Sequence, residues 1–114
     1  MVVKSRKKVL CGKTYHFSSK FGTIHFTINF DDNNNPIEVF IRSKKNGTDI
    51  HGFTESIARL ISISIQHNVP IEAIIKQLKG INTGDIIHYE NLTCFSIPDA
   101  IARILEKEIS NNKK

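Results

Sequence analysis

Residues 42–56, RSKKNGTDIHGFTES, gather the chain's best set of groups for holding an anion. Arg42, Lys44 and Lys45 place three cations at the end of a strand-like run. Asn46, Gly47 and Gly52 supply permissive backbone, and Thr54 opens a helical pattern as its cap. Exposed N–H groups, the positive end of a helix dipole and adjacent cations together favour a bound phosphate or carboxylate. Read as a ligand site, the segment takes in Arg42, Lys44, Lys45, Asn46, Gly47, Thr48 and Thr54, and Phe53, Tyr89 or Phe95 could stack on a nucleotide base. The same residues also suit an ordinary solvated loop with a helix cap, and the aromatics also suit a core.

Other chemistry finds fewer materials. Cys11 and Cys94 are the only cysteines, and their separation fits neither a disulfide framework nor a zinc pair. A thiol nucleophile needs a base within hydrogen-bond reach, and apart from His88, a neighbour only in sequence, nothing identifies one for Cys94. Cys94 reads as a small buried thiol. His16, His25, His51, His67 and His88 show no metal-ligand spacing, and His67 suits a helix C-terminus. There is no paired-carboxylate pattern, nucleophile elbow or phosphate-loop fingerprint. The expectation is a binding protein rather than an enzyme, with no cofactor and no metal.

The formal charge is +5, but Lys4, Arg6, Lys7, Lys8, Lys113 and Lys114 lie in the tails. Between residues 9 and 112, ten Lys/Arg face eleven Asp/Glu, so nucleic-acid binding rests on the basic arm, residues 1–8, and is disfavoured for the domain itself. No apolar run has the length of a signal peptide or a membrane span, and the cysteine usage suits a reducing compartment. A soluble, cytoplasmic chain is expected, with one domain over residues 9–110 and a disordered tail at 111–114.

The elements that must position these residues are read from periodicity. GTIHFTINF places Ile24, Phe26, Ile28 and Phe30 on one face and Thr23, His25, Thr27 and Asn29 on the other, the pattern of a half-buried strand. KTYHF and PIEVFIR flank it, with Tyr15, Phe17, Ile37, Val39 and Ile41 available to the same core. SSKFG and DDNNNP supply the turns. From Thr54 the period becomes helical: Ile57, Leu60, Ile61 and Ile65 mark one helix. Ile71, Ile74, Ile75 and Leu78 mark a second, opened by Pro70 and closed by Gly80. After INTGDIIHYENLTCF, read as a loop, Ser96 and Asp99 cap a third with Pro98 in its first turn, and Ile97, Ile101, Ile104, Leu105 and Ile109 give its apolar face. Strands first and helices second predict an α+β domain, a three-stranded antiparallel sheet followed by about three helices packed on one face. The uncovered sheet face, with His25, Thr27 and Asn29, is either solvated or the contact of a homo-oligomer.

GKTYHF, FGTIHFTINFDDNNNPIEVFI, FTESIARLISISI, IEAIIKQLKGI and SIPDAIARIL, in this order, resemble the TSCPD domain of adenosylcobalamin-dependent ribonucleotide reductases and of small stand-alone proteins. The Thr-Ser-Cys-Pro-Asp run of that family corresponds here to Phe95, Ser96, Ile97, Pro98 and Asp99, so its cysteine is replaced by Ile97. Phe21 replaces another family cysteine ahead of Gly22. Those in the loop before the first helix and after Lys-Gly-Ile have no counterpart. The resemblance therefore implies the fold without the clustered thiols, and since these 114 residues do not include the reductase's catalytic barrel, reductase activity is not expected of them.

The leading expectation is a stand-alone domain that binds a small anionic, nucleotide-type ligand, one form being a phage protein that sequesters a nucleotide immune signal. The alternatives are an accessory domain that docks on a ribonucleotide reductase, as the resemblance implies, and nucleic-acid binding through the basic arm.

Overall fold

The computed structural model describes residues 9–43 and 48–112. The basic arm and the candidate site residues Lys44, Lys45, Asn46 and Gly47 lie outside the described residues. Three strands, β1 (Cys11–Ser19), β2 (Gly22–Phe30) and β3 (Pro36–Ser43), form an antiparallel meander in the order β1-β2-β3. Helices α1 (Asp49–Gln66) and α2 (Ile71–Leu78) follow, then a short hairpin, β4 (Ile87–Tyr89) and β5 (Leu92–Cys94), and helix α3 (Ile97–Asn112). The fold is α+β, as the order of periods implies.

The turns are built by their own side chains. Between β2 and β3, the Asp31 carboxylate accepts from the backbone N–H groups of Asn33 and Asn35, both at 2.9 Å, while Asn34 takes a positive φ of 62°. Short polar side chains bond locally and tolerate that region, so DDNNNP turns the chain without glycine.

Alternation along the strands sends Phe17, Ile24, Phe26, Ile28, Val39 and Ile41 into a core that α3 enters with Ile97, Ile101, Ile104 and Leu105. Burying each large side chain contributes about 1.5–3 kcal/mol. α1 packs against β3 with Ala58, Ile61 and Ile65 buried. Its Ser62 hydroxyl also serves the open edge of that strand, accepting from the Val39 N–H at 2.9 Å and donating to the Val39 carbonyl at 3.0 Å. A sheet edge that would otherwise present unpaired backbone groups is thereby partly occupied. Leu60, at helical spacing with the buried positions, points instead to solvent at 65% exposure.

Three expectations are corrected. α1 begins at Asp49 rather than at Thr54: the Thr48 side chain accepts from the His51 N–H as N-cap, and Asp49 adds an acid to the first turn. The cap and the acid outweigh the roughly 1 kcal/mol that Gly52 costs inside a helix. Thr54 sits within α1, buried, its hydroxyl donating to the His51 carbonyl at 3.0 Å. The stretch before α3 is not all loop, because IHY and LTC pair as β4 and β5 around Glu90, whose φ is 52°. Three residues are too few to show a period. Finally, α3 continues to Asn112, into the segment expected to be a tail.

Candidate functional site

β3 and α1 leave a groove of about 420 Å³ between them, lined among others by Phe40, Arg42, His51, Glu55, Arg59 and Gln66. Each lining residue follows from local geometry. On β3, residues 37, 39 and 41 face the core, so Phe40 and Arg42 face outward, and Phe40 is 53% exposed. On α1, His51, Glu55 and Arg59 recur every four residues and form one stripe along the strand.

The charges along that stripe are partly matched. Glu55 stands between Arg59 at 3.2 Å and His51 at 3.9 Å. The Ser43 hydroxyl lies 3.5 Å from His51 Nδ1, tying the end of β3 to the start of α1. Across the groove, Glu38 is buried and accepts from the Asn29 amide at 2.7 Å. Among the described residues, no carboxylate stands within ion-pair distance of Arg42, so the uncompensated positive charge of the groove sits at its β3 rim. An aromatic ring, two guanidiniums, an imidazole and an amide around one cleft can stack a planar group and hold an anion.

Of the residues singled out from the sequence, Arg42 lines this groove and Thr48 caps α1 at the same end. Phe53 is exposed on the first turns of α1. Thr54 belongs to the core, its hydroxyl already engaged. Tyr89 meets Tyr15 edge-on with ring centroids 5.8 Å apart, beside the buried Glu108 that Lys13 reaches at 2.8 Å. Phe95 lies beneath the Arg103 guanidinium at 5.9 Å. The structure thus places the aromatics in three settings rather than one. Phe40 and Arg59 line the groove from outside the quoted 42–56 segment, and His51 and Glu55 lie within it but are not among the residues singled out there. The four-residue spacing on α1 and the outward phase of Phe40 are the signals that carry them.

The segment NLTCFSIPDAIARIL is a structural junction. The Ser96 hydroxyl accepts from the Asp99 N–H at 3.0 Å and donates to the Ile81 carbonyl at 2.6 Å. The buried Asp99 carboxylate accepts from the N–H groups of Gly80 at 2.7 Å and Phe95 at 2.9 Å, and from Arg103 Nε at 3.0–3.1 Å. Burial alone would raise the Asp99 pKa, but the bonds from Gly80, Phe95 and Arg103 together hold it below the usual carboxylate range. Cys94 is fully buried, and burial first, then the Asp99 charge, push its thiol up, the reverse of an activated nucleophile. Among the described residues, no group of three His, Cys, Asp or Glu side chains stands close enough to share a metal. No helix among them is long and apolar enough to cross a membrane.

Neither the curated proteins nor the solved structures give a match to the chain. A family model does, over residues 1–109, and with the helix start of Ser96, Pro98 and Asp99 intact and the motif cysteine replaced by Ile97, the chain belongs to the TSCPD domain family.

Proposed function

We propose that the chain is a non-enzymatic binding domain for a small anionic, nucleotide-type ligand, seated in the groove between β3 and α1. The observation that carries this reading is Arg42, a guanidinium with no ion-pair partner among the described residues, beside the exposed ring of Phe40 at the end of the groove where α1 begins. A base stacked on Phe40 with a phosphate toward Arg42 uses both, and Arg59 and Gln66 supply further donors along the groove. Sequestration of a nucleotide immune signal by a phage protein is one biological use of such a site. A ligand that binds only the folded chain raises its melting temperature in step with RT ln(1 + [L]/Kd). A panel of mononucleotides, cyclic nucleotides and ADP-ribose-type compounds should contain at least one that stabilises the protein, and Arg42→Ala and Phe40→Ala should each remove the shift. No stabilisation across the panel refutes the reading.

A second reading is an accessory domain that docks on a ribonucleotide reductase, which family membership supports. An apolar groove of about 450 Å³ between α1 and α2, lined by Ile57, Leu60, Val69, Ala73 and Ile74, favours it over an isolated binding module. Recovery of reductase on immobilised wild-type protein, and its loss with Leu60→Glu, is the result that supports docking.

A further inference from the structure

His16, His25 and Arg42 are successive partners across the three strands. The two-residue period puts all three on the face turned away from the core. The His16 and His25 rings stand 4.4 Å apart between centroids, tilted by 58°. In the next row, the hydroxyls of Thr14 and Thr27 are 2.9 Å apart, and Phe40 completes the row on β3. Thr14, His25, Thr27, Phe40 and Arg42 line a concavity of about 320 Å³. Phe40 and Arg42 therefore border this concavity on one side and the β3–α1 groove on the other.

We infer that the outer sheet face is a phosphate subsite, built by His16, His25 and Arg42 with the Thr14–Thr27 hydroxyl pair, for a terminal phosphate or free phosphate. It extends the proposed groove but adds residues of its own, His16, His25, Thr14 and Thr27. The chemistry is specific to an anion. A guanidinium offers a planar fork of N–H donors, each protonated imidazole adds another, and a hydroxyl pair that shares one hydrogen bond leaves one O–H free to donate. A metal ion bound by the two imidazoles would sit against the Arg42 charge, whereas a phosphate is drawn to all three groups. Strand spacing of about 4.8 Å spreads the row over roughly 10 Å, so neighbouring members can contact one phosphate together.

Among the described residues, Arg42 is the charged group facing the histidine pair. The flanking outward positions Ser18, Thr23, Thr14 and Thr27 carry no charge, and the acid on this face, Glu38, lies beyond the Thr14–Thr27–Phe40 row, where it accepts from Asn29.

The test is an NMR titration of the whole chain with inorganic phosphate, following the ring Cε1–H signals of His16 and His25, assigned with His16→Gln and His25→Gln. Both signals should move with one saturable curve. In the double Gln variant the saturable shifts of the Thr14 and Thr27 amide signals should be lost, and Glu72→Gln, exposed on α2 and remote from both sites, should leave them unchanged; a nucleotide that still stabilises the double Gln variant separates failure of this subsite from failure of the groove. Equal movement in sodium chloride of the same ionic strength, or no saturable movement, overturns the inference. A dimeric mass by light scattering with histidine signals indifferent to phosphate also overturns it, and assigns the face to a second copy of the chain.

Discussion

Replacing Asp99 by Asn tests whether the surviving motif is a structural clamp. The carboxylate presents two oxygens to three donors from separate segments: Gly80 after α2, Phe95 after β5, and Arg103 one turn along α3. An amide of the same shape keeps one acceptor oxygen and turns an NH2 toward the other donor. At least one N–H then faces a donor in a buried site, which costs about 1–3 kcal/mol. Loss of the charge-assisted bond to Arg103 adds about 1 kcal/mol or more, discounted because Arg103 is partly exposed. A total near 3 kcal/mol should lower the melting temperature by about 10–15 °C for a chain of this size.

Acid dependence supplies the internal control. The folded Asp99 pKa lies below its unfolded value, so its stabilisation is complete above about pH 4 and is lost as pH falls through the folded value. The wild type should therefore approach the Asn variant as acid protonates Asp99. Urea unfolding followed by circular dichroism near pH 7 and near pH 3 measures both stabilities. A difference under 1 kcal/mol at neutral pH, or one that persists undiminished in acid, refutes the clamp.

Ser62→Ala should destabilise by about 1–3 kcal/mol, because it removes both partners that α1 offers to the Val39 backbone; hydrogen exchange at the Val39 amide should accelerate, and unchanged exchange would show that solvent serves the edge equally well. In the native chain a thiol reagent should modify the exposed Cys11 promptly and Cys94 only on unfolding, so two fast equivalents would disprove its burial. Burial first, then hydrogen bonding and repulsion from Glu108, push the Tyr15 pKa up. With the folded value above the unfolded one, its stabilisation is complete below about pH 10 and is lost as pH rises beyond it. Tyr15→Phe should therefore flatten the alkaline fall in stability, and an unchanged alkaline limb would place the effect elsewhere.

Amino-acid order alone determines the meander, the second and third helices and the helix start at Ser96–Asp99. Their patterns are dense: four apolar residues alternate in GTIHFTINF, and Pro70, Gly80, Ser96 and Pro98 mark ends by backbone chemistry that operates within a turn. Family membership is equally local, since its signature lies in ordered short motifs. Tertiary structure alone decides the rest. The cap of α1 falls at Thr48 because a threonine hydroxyl and an acidic first turn prevail over a glycine that reads as loop. β4 and β5 form because their neighbours bury them, Ile87 and Cys94 completely, although three residues carry no period. The groove joins Arg42 to His51 and Arg59, and the outer face joins His16, His25 and Arg42, because strand register and helix docking bring together residues distant in the chain. Arg42 is legible from its sequence context, and His25 and Thr27 from the alternation of β2, whereas the neighbours each of them meets depend on register and packing.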